Sequence, residues 1–383
     1  MTTSPTKQLS AAERLAWLRL IRSENVGPIG FRHLLARYGG AAAALEALPE
    51  LARRGGRSRP IRVCPRATAE AELARLAELG ATLVAMVEPD YPPALAAVED
   101  APPVIALRGH PHLAARPAVA IVGARNASTN GRRLAEMLAR DLAAAGHLVV
   151  SGMARGIDTA AHKGALADAT AAVVAGGVDV VYPAENQELY DAIAAQGLIV
   201  AELPPGTKPK ASHFPRRNRI ISGIALGTLV VEAAPRSGSL ITARFALEQG
   251  REVFAVPGSP LDPRARGCNA LIRDGATLVE RAEDITTALE PLLRRPLAEG
   301  RKDSYQGDLL AAGSESDIAA AREILLELLG PSAVTVDELV RQCQLSPASV
   351  TMALLELELA GMIERQPGNK VARLLAPETG AVS

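Results

Sequence analysis

From Thr82 onward the chain alternates short β-branched runs with amphipathic stretches, an order that few folds accommodate. The runs are Ala118 to Val122, Leu148 to Val150, Thr170 to Ala175, Leu198 to Ala201, Thr228 to Val231 and Glu252 to Val256. Between them lie Gly131 to Ala145, Thr159 to Ala167, Glu185 to Ala195 and Ser239 to Gln249, each long enough to cross back over a sheet. The alternation predicts a doubly wound α/β domain with a mostly parallel sheet over residues 82–292. Ligands of open α/β sheets bind beyond the carboxyl ends of the strands, so the loop after each strand is where chemistry is expected.

A chain of 383 residues exceeds the size at which one core usually stops growing, so two or three domains are expected. With 48% apolar and 22% charged residues, the balance is that of a globular protein. No apolar run approaches the roughly 20 residues that span a bilayer, and the N-terminus lacks a signal-peptide pattern, so a cytoplasmic protein is expected. Cys64, Cys268 and Cys343 stand far apart, with neither zinc nor redox spacing, which fits a reducing compartment. Formal net charge is zero, so any site for a polyanion has to be local.

Residues 1–80 read as a small helical domain. Leucine and alanine recur at helical spacing from 9 to 53, broken by the turn Asn25-Val26-Gly27-Pro28-Ile29-Gly30-Phe31. A helix-hairpin-helix of this kind can set backbone N–H groups against a DNA phosphate, and the same pattern also serves as an ordinary αα connection. Arg53 to Pro60 reads as an exposed linker, and residues 293–316 as a second one. Beyond it, Ile318 to Leu329, Thr335 to Cys343 and Pro347 to Leu359 read as three helices, and Met362 to Leu374 as a hairpin. This is the order of a winged helix over 317–376. Its third helix carries Glu356 and Glu358 but no arginine or lysine, which fits a protein contact or spacer better than duplex reading.

Four loops carry the binding chemistry. In Val122-Gly123-Ala124-Arg125-Asn126-Ala127-Ser128, Gly123 lets the backbone approach a ligand and Arg125 reaches an anionic oxygen. In Ser151-Gly152-Met153-Ala154-Arg155-Gly156-Ile157-Asp158, the hydroxyl of Ser151 and the amides around Gly152 and Gly156 can form a phosphate nest. Asp158 and His162 stand at i and i+4, but a carboxylate at a helix start explains Asp158 without a metal. Lys208 to Arg219 holds five formal positive charges, one aromatic and no acid. Arginine and lysine supply counterion release, and Phe214 or His213 can stack on an unpaired base, which favours single strands over duplex. Finally, Glu232 to Ser239 adds Arg236, Ser237 and Gly238 before another helix. Phosphate contacts are expected from Arg125, Lys163, Arg216, Arg217 and Arg219. Neither GxGxxG nor GxxxxGK[ST] is present, nor GxSxG or HExxH, so no cofactor, metal or catalytic nucleophile is expected.

Gly123-Ala124-Arg125, Ser151-Gly152 through Gly156-Ile157-Asp158, Phe214-Pro215-Arg216-Arg217-Asn218-Arg219-Ile220-Ile221 and Ser237-Gly238-Ser239 together resemble the DprA/Smf family. The resemblance runs through residues 90 to 285, including Glu252 to Gly258 and Arg266-Gly267-Cys268-Asn269. It implies an extended Rossmann-like domain that binds single-stranded DNA, flanked by a SAM-like (sterile-alpha-motif-like) N-terminal domain and a C-terminal winged helix. It also implies a homodimer formed through the Rossmann-like domain, protection of incoming strands in natural transformation, and loading of the RecA recombinase. Asn218, Ser237 and Gly238 join the expected DNA contacts on this ground. The chain departs from the family pattern at Ala124, where many relatives have serine, and at Leu203, where an aromatic is frequent. A competing reading comes from the related lysine-decarboxylase-like phosphoribohydrolases, because Gly227-Thr228 followed by Glu232 is similar to part of their signature; the PGG that precedes it there is missing.

Overall fold

The computed structural model describes residues 7–294, 314–366 and 368–374. Its helices in the first part of the chain are α1 (Ala11–Arg22), α2 (Pro28–Tyr38), α3 (Ala41–Arg54) and α4 (Arg66–Glu78). The middle holds β1 (Ala81–Ala85), α5 (Pro93–Ala96), β2 (Val104–Gly109), β3 (Ala118–Val122), α6 (Thr129–Ala144), β4 (Leu148–Ser151), α7 (Ile157–Ala165) and β5 (Thr170–Val174). It continues with α8 (Gln187–Gln196), β6 (Leu198–Ala201), α9 (His213–Ile224), β7 (Gly227–Val230), α10 (Gly238–Glu248), β8 (Glu252–Ala255), α11 (Arg266–Arg273), β9 (Thr277–Leu278) and α12 (Ala282–Arg294). The last part holds α13 (Glu315–Leu328), β10 (Val334–Thr335), α14 (Val336–Cys343), α15 (Pro347–Ala360), β11 (Ile363–Gln366) and β12 (Lys370–Arg373).

The middle segment forms one nine-stranded sheet in the order β1-β2-β6-β5-β4-β3-β7-β8-β9. Strands β6 to β9 run parallel in this order, whereas β1 pairs antiparallel with β2, and β2 with β6. The sequence reading named the six central strands but not this antiparallel edge. β3 shows how the sheet is covered on both faces. Ala118, Ala120 and Val122 join Ile220, Ile221, Ala243 and Ala246 of α9 and α10 on one side. Val119 and Ile121 join Leu138, Leu142, Ile157 and Ala161 of α6 and α7 on the other. Period-two alternation of wholly apolar residues is what a strand buried between two helical layers requires. Because β3 lies between β4 and β7, the strand order reverses there and opens a switch point at the carboxyl edge.

The chain divides into two compact units, and the division does not follow the chain linearly. The sheet unit comprises Ala71–Glu299 with residues through Leu9, while Ser10–Glu70 and Gly300–Ser383 make the other. In the second unit α15 packs on both α13 and α3. The stretch Arg53 to Pro60, read as an exposed linker, is exposed except at Gly55 and Arg57, and through these it is tied into this unit. Gly55 is buried, Arg57 pairs with Glu24 at 2.9 Å, and Ile61 and Cys64 are buried just beyond. The predicted linker 293–316 lies, but for its ends, outside the described residues.

Candidate nucleic-acid interface

The loops after β3, β4, β5, β6 and β7 meet at the carboxyl edge of the sheet, and α9 starts among them. Phe214, in the first turn of α9, is half-buried. The guanidinium of Arg125 lies 5.3 Å from its ring centroid and that of Arg217 lies 6.0 Å away. Tyr182, half exposed, sets its ring 5.6 Å from Phe214. Arg125 and Arg216 are exposed, and Arg216 shares a small open pocket with Val174, Ala175, Glu202, Leu203, His213, Arg217 and Ile220. The start of α9 has no side-chain cap: Ser212 makes no capping bond, and Pro215 has no N–H to offer. Sequence reasoning missed Tyr182, which sits outside the cation-rich run; the signal for it was an aromatic in the loop after β5.

The three arginines of α9 divide by depth. Arg216 faces solvent, whereas Arg217 and Arg219 are each only 6% exposed. Arg217 donates to the Val173 carbonyl at 3.0 Å, and burial lowers its pKa to about 10 against the pull of Asp158, so it stays charged near neutrality. Asp158 accepts from the amides of Gly152 (3.1 Å) and Ala154 (3.2 Å), and burial raises its pKa while Arg217 opposes the rise. Arg219 pairs with Glu202 at 2.5 Å and donates to the Asp100 carbonyl. Arg219 is thus held by Glu202 and Asp100, whereas Arg217 spends Nη1 on Val173, keeps its Nε without a hydrogen-bond partner and lines the same pocket as Arg216.

The glycines of these loops are tightly packed. At Gly152 a Cβ would lie 1.7 Å from Arg217 Nη1, and at Gly123 it would lie 2.6 Å from Ile157 Cγ1. Gly156, at φ +77°, closes against the Ala124 carbonyl. Arg217 of α9, Ile157 of α7 and the loop after β3 fill the room that these three glycines leave. Ser151 is buried and donates its hydroxyl to the Ile121 carbonyl at 2.6 Å. Lys163 is exposed in the last turn of α7, about 9 Å along the axis from Ile157. Ser237 caps α10 by accepting from the Ser239 amide, Gly238 is exposed, and Asn218 donates to the Gly238 carbonyl at 3.4 Å, tying α9 to the start of α10.

At the switch point a carboxylate stands where a bound phosphate is usual. Glu232 accepts from the Ser128 amide at 2.9 Å and from its hydroxyl at 2.5 Å, at the N-terminus of α6. A Cβ on Gly131 would strike it at 2.5 Å. His162 is fully buried with Nδ1 on Thr170 Oγ1 at 2.7 Å, and burial lowers its pKa to about 3. Among the described residues no group of three or more His, Cys, Asp or Glu side chains is placed to hold a metal ion.

Known proteins resemble this chain in sequence and fold. The family profile described as DNA recombination-mediator protein A matches residues 82–290. The chain belongs to the DprA/Smf family. Two further profiles match its flanks: the DprA-like N-terminal HHH domain over residues 11–74 and the DprA winged helix domain over 310–369. Protein Smf of Escherichia coli is 39% identical over 310 residues, 80% of this chain and 81% of that protein. DNA processing protein DprA of Streptococcus pneumoniae is 45% identical over 202 residues, 52% of this chain and 71% of that one. The X-ray structure of the pneumococcal DprA superposes with a TM-score of 0.60 at 34% identity, over 73% of this chain and 98% of that chain. A DprA from Helicobacter pylori, described for its single-stranded DNA binding mode, gives 0.51 at 27% identity over 55% of this chain and 96% of that chain. The extended Rossmann-like expectation therefore holds for this DprA-family chain, and so do both flanking domain types. Among the described residues no helix is long and apolar enough to cross a membrane.

Proposed function

We propose that the carboxyl edge of the sheet binds single-stranded DNA and that the protein acts in DNA processing for recombination, as its DprA relatives are named for doing. The observation that carries this reading is the half-buried Phe214 ring flanked by the Arg125 and Arg217 guanidiniums and by exposed Tyr182, beside exposed Arg216. An aromatic pair gives unstacked bases a platform, while a duplex offers its bases only at the groove edges. Arg125, Arg216 and, further along α7, Lys163 supply phosphate contacts. The exposed Gly238 at the start of α10, with Ser237 and Asn218 beside it, extends the track. Arg217 and Asp158 position Phe214 and the β4 loop from beneath, while Arg219 anchors α9. Protection of incoming strands in natural transformation, transfer of the bound strand to RecA and a homodimer through the sheet unit belong to the same proposal.

The test is fluorescence anisotropy of the full chain with a labelled oligonucleotide as single strand and as duplex, across a salt series. Preference for the single strand, weakened by Phe214→Ala and Arg125→Ala, is expected. Equal affinity for both forms, or indifference to both substitutions, would overturn the reading. The phosphoribohydrolase alternative needs Glu232 available to a nucleotide, and Ser128 already occupies both its carboxylate oxygens. Release of free base from nucleoside monophosphates, abolished by Glu232→Gln, would restore it.

A further inference from the structure

Two elements with the form of DNA readers lie in the second unit: the hairpin between α1 and α2, and α15, the third helix of the winged helix. The two pack against each other, with Val26 and Gly30 of the hairpin buried. From Ala348 to Ala360 every residue of α15 is buried. Its apolar side chains surround the axis, which is the pattern of a core helix and not of one with a face kept for a groove. Asn25, in the left-handed region at φ +58°, donates to the Leu359 carbonyl at 3.2 Å and so completes the C-terminal end of α15. A Cβ on Gly55 would lie 2.0 Å from the Glu356 carbonyl, so the end of α3 and α15 approach as closely as only glycine permits. Arg322 binds the Arg54 carbonyl and also pairs with Glu356 at 3.1 Å, and Arg54 pairs with Glu315.

A carboxylate lies against the start of the hairpin's second helix. Gly27 caps α2 without any side-chain bond, leaving the helix start open to an anion. The Glu358 carboxylate lies against this start: Oε1 is 3.2 Å from where a Cβ of Gly27 would stand, and Oε2 is 3.5 Å from that of Gly30. Arg365 holds the same carboxylate at 2.9 Å, and Leu355 Cδ1 closes the contact at 3.3 Å from the Cβ position of Gly30.

We propose that the N-terminal hairpin and the third helix of the winged helix mask each other from DNA, with the Glu358 carboxylate standing where the hairpin would take a backbone phosphate. Neither element contacts duplex while the pairing holds, and DNA binding by the chain rests on the sheet unit alone.

Hydrogen–deuterium exchange of the full chain, alone and with a short duplex, tests this. Peptides covering residues 24–31 and 347–360 should both exchange slowly and stay unchanged by duplex. Gly55→Leu, a wedge from the N-terminal side, and Leu355→Asp, a charge from the other, should each speed exchange in both segments together by about an order of magnitude or more. Glu358→Gln keeps the shape and serves where those variants unfold the unit; it should speed both segments several-fold and let duplex protect residues 24–31. The proposal fails if either segment of the unaltered chain gains protection from duplex, or if a wedge loosens only the segment that carries it. It fails equally if Glu358→Gln leaves residues 24–31 both slow and indifferent to duplex.

Discussion

Helices α9 and α15 both occupy positions where folds of their kind meet nucleic acid, and they differ in every property that such a meeting requires. α9 brings three arginines and an aromatic to the strand-end edge, with its first turn open to solvent. α15 has the position of a winged helix's recognition helix, yet it has no basic residue and is buried along almost its whole length. Position within a fold therefore does not assign a function. Charge and exposure do, since phosphate affinity arises from cations that can reach the backbone and release its counterions. The same lesson recurs at two helix starts. Glu232 accepts from the Ser128 amide at the start of α6, and Glu358 lies against Gly27 and Gly30 at the start of α2, each a carboxylate beside a helix N-terminus.

Within α9 itself the comparison can be broken at Arg219. Replacing it by alanine breaks the buried pair with Glu202, whose side chain is 14% exposed, and the bond to the Asp100 carbonyl, and removing one member of a buried pair costs about 3–5 kcal/mol. Urea unfolding of Arg219→Ala should show a loss of that order. A loss of single-strand affinity with unchanged stability would instead return Arg219 to the direct contacts read from the sequence. Phe214→Ala comes next: it should remove about 1–3 kcal/mol of single-strand affinity and little from duplex affinity, measured by anisotropy. Tyr182→Ala should act in the same direction if the two rings form one platform.

How much of this was legible follows the range of the interactions. The six central strands were readable within a few residues because alternating apolar runs are local, whereas the Ser314 cap starts its helix at Glu315, inside what was read as linker. The cation-rich run around Phe214 was readable as a binding loop because it contains no acid. What could not be read was depth. Nothing local tells Arg216 from Arg217 or Arg219; the separation comes from helical phase together with Val173, Glu202 and Asp100, all distant in sequence. The glycines read as space for phosphate also turned on distant partners, as Gly152 does on Arg217. The joining of residues 10–70 to the winged helix left one trace, a third helix with glutamates where a reader needs arginines.

A pair of arginines sharpens the contrast at smaller scale. Arg216→Ala should lower the salt dependence of single-strand binding by about 0.7 for the one phosphate it no longer neutralises, seen as the slope of log affinity against log salt. Arg322→Ala, beside α15, should leave that slope untouched and reduce stability, because it uncovers Glu356, a carboxylate only 2% exposed. A changed slope in Arg322→Ala would bring the second unit back into DNA binding.

The smallest effect is a pH dependence shared by the two units. Burial lowers the pKa of His162 in the sheet unit, and of His33 beside Arg365 and Arg32 in the second, to about 3 from an ordinary value of 6.5. Both rings are neutral in the folded chain and take up a proton only on unfolding. Their contribution is therefore complete above about pH 6.5 and falls away as the pH drops from there toward 3. Between pH 7 and pH 5.5 each ring should cost about 1 kcal/mol of stability. Asp158 and Glu358, whose pKa values burial raises, work in the opposite sense, because the folded state binds their protons more readily than the unfolded chain does. The ring signals separate the two effects: those of His33 and His162 should stay fixed in NMR spectra from pH 8 to pH 5. His162→Gln should shrink the pH 7 to pH 5.5 difference in unfolding free energy by about 1 kcal/mol. A His162 signal titrating near 6.5 would mean that water reaches the floor beneath Arg217, and the stacking platform above it would then rest on a far looser support than α9 provides here.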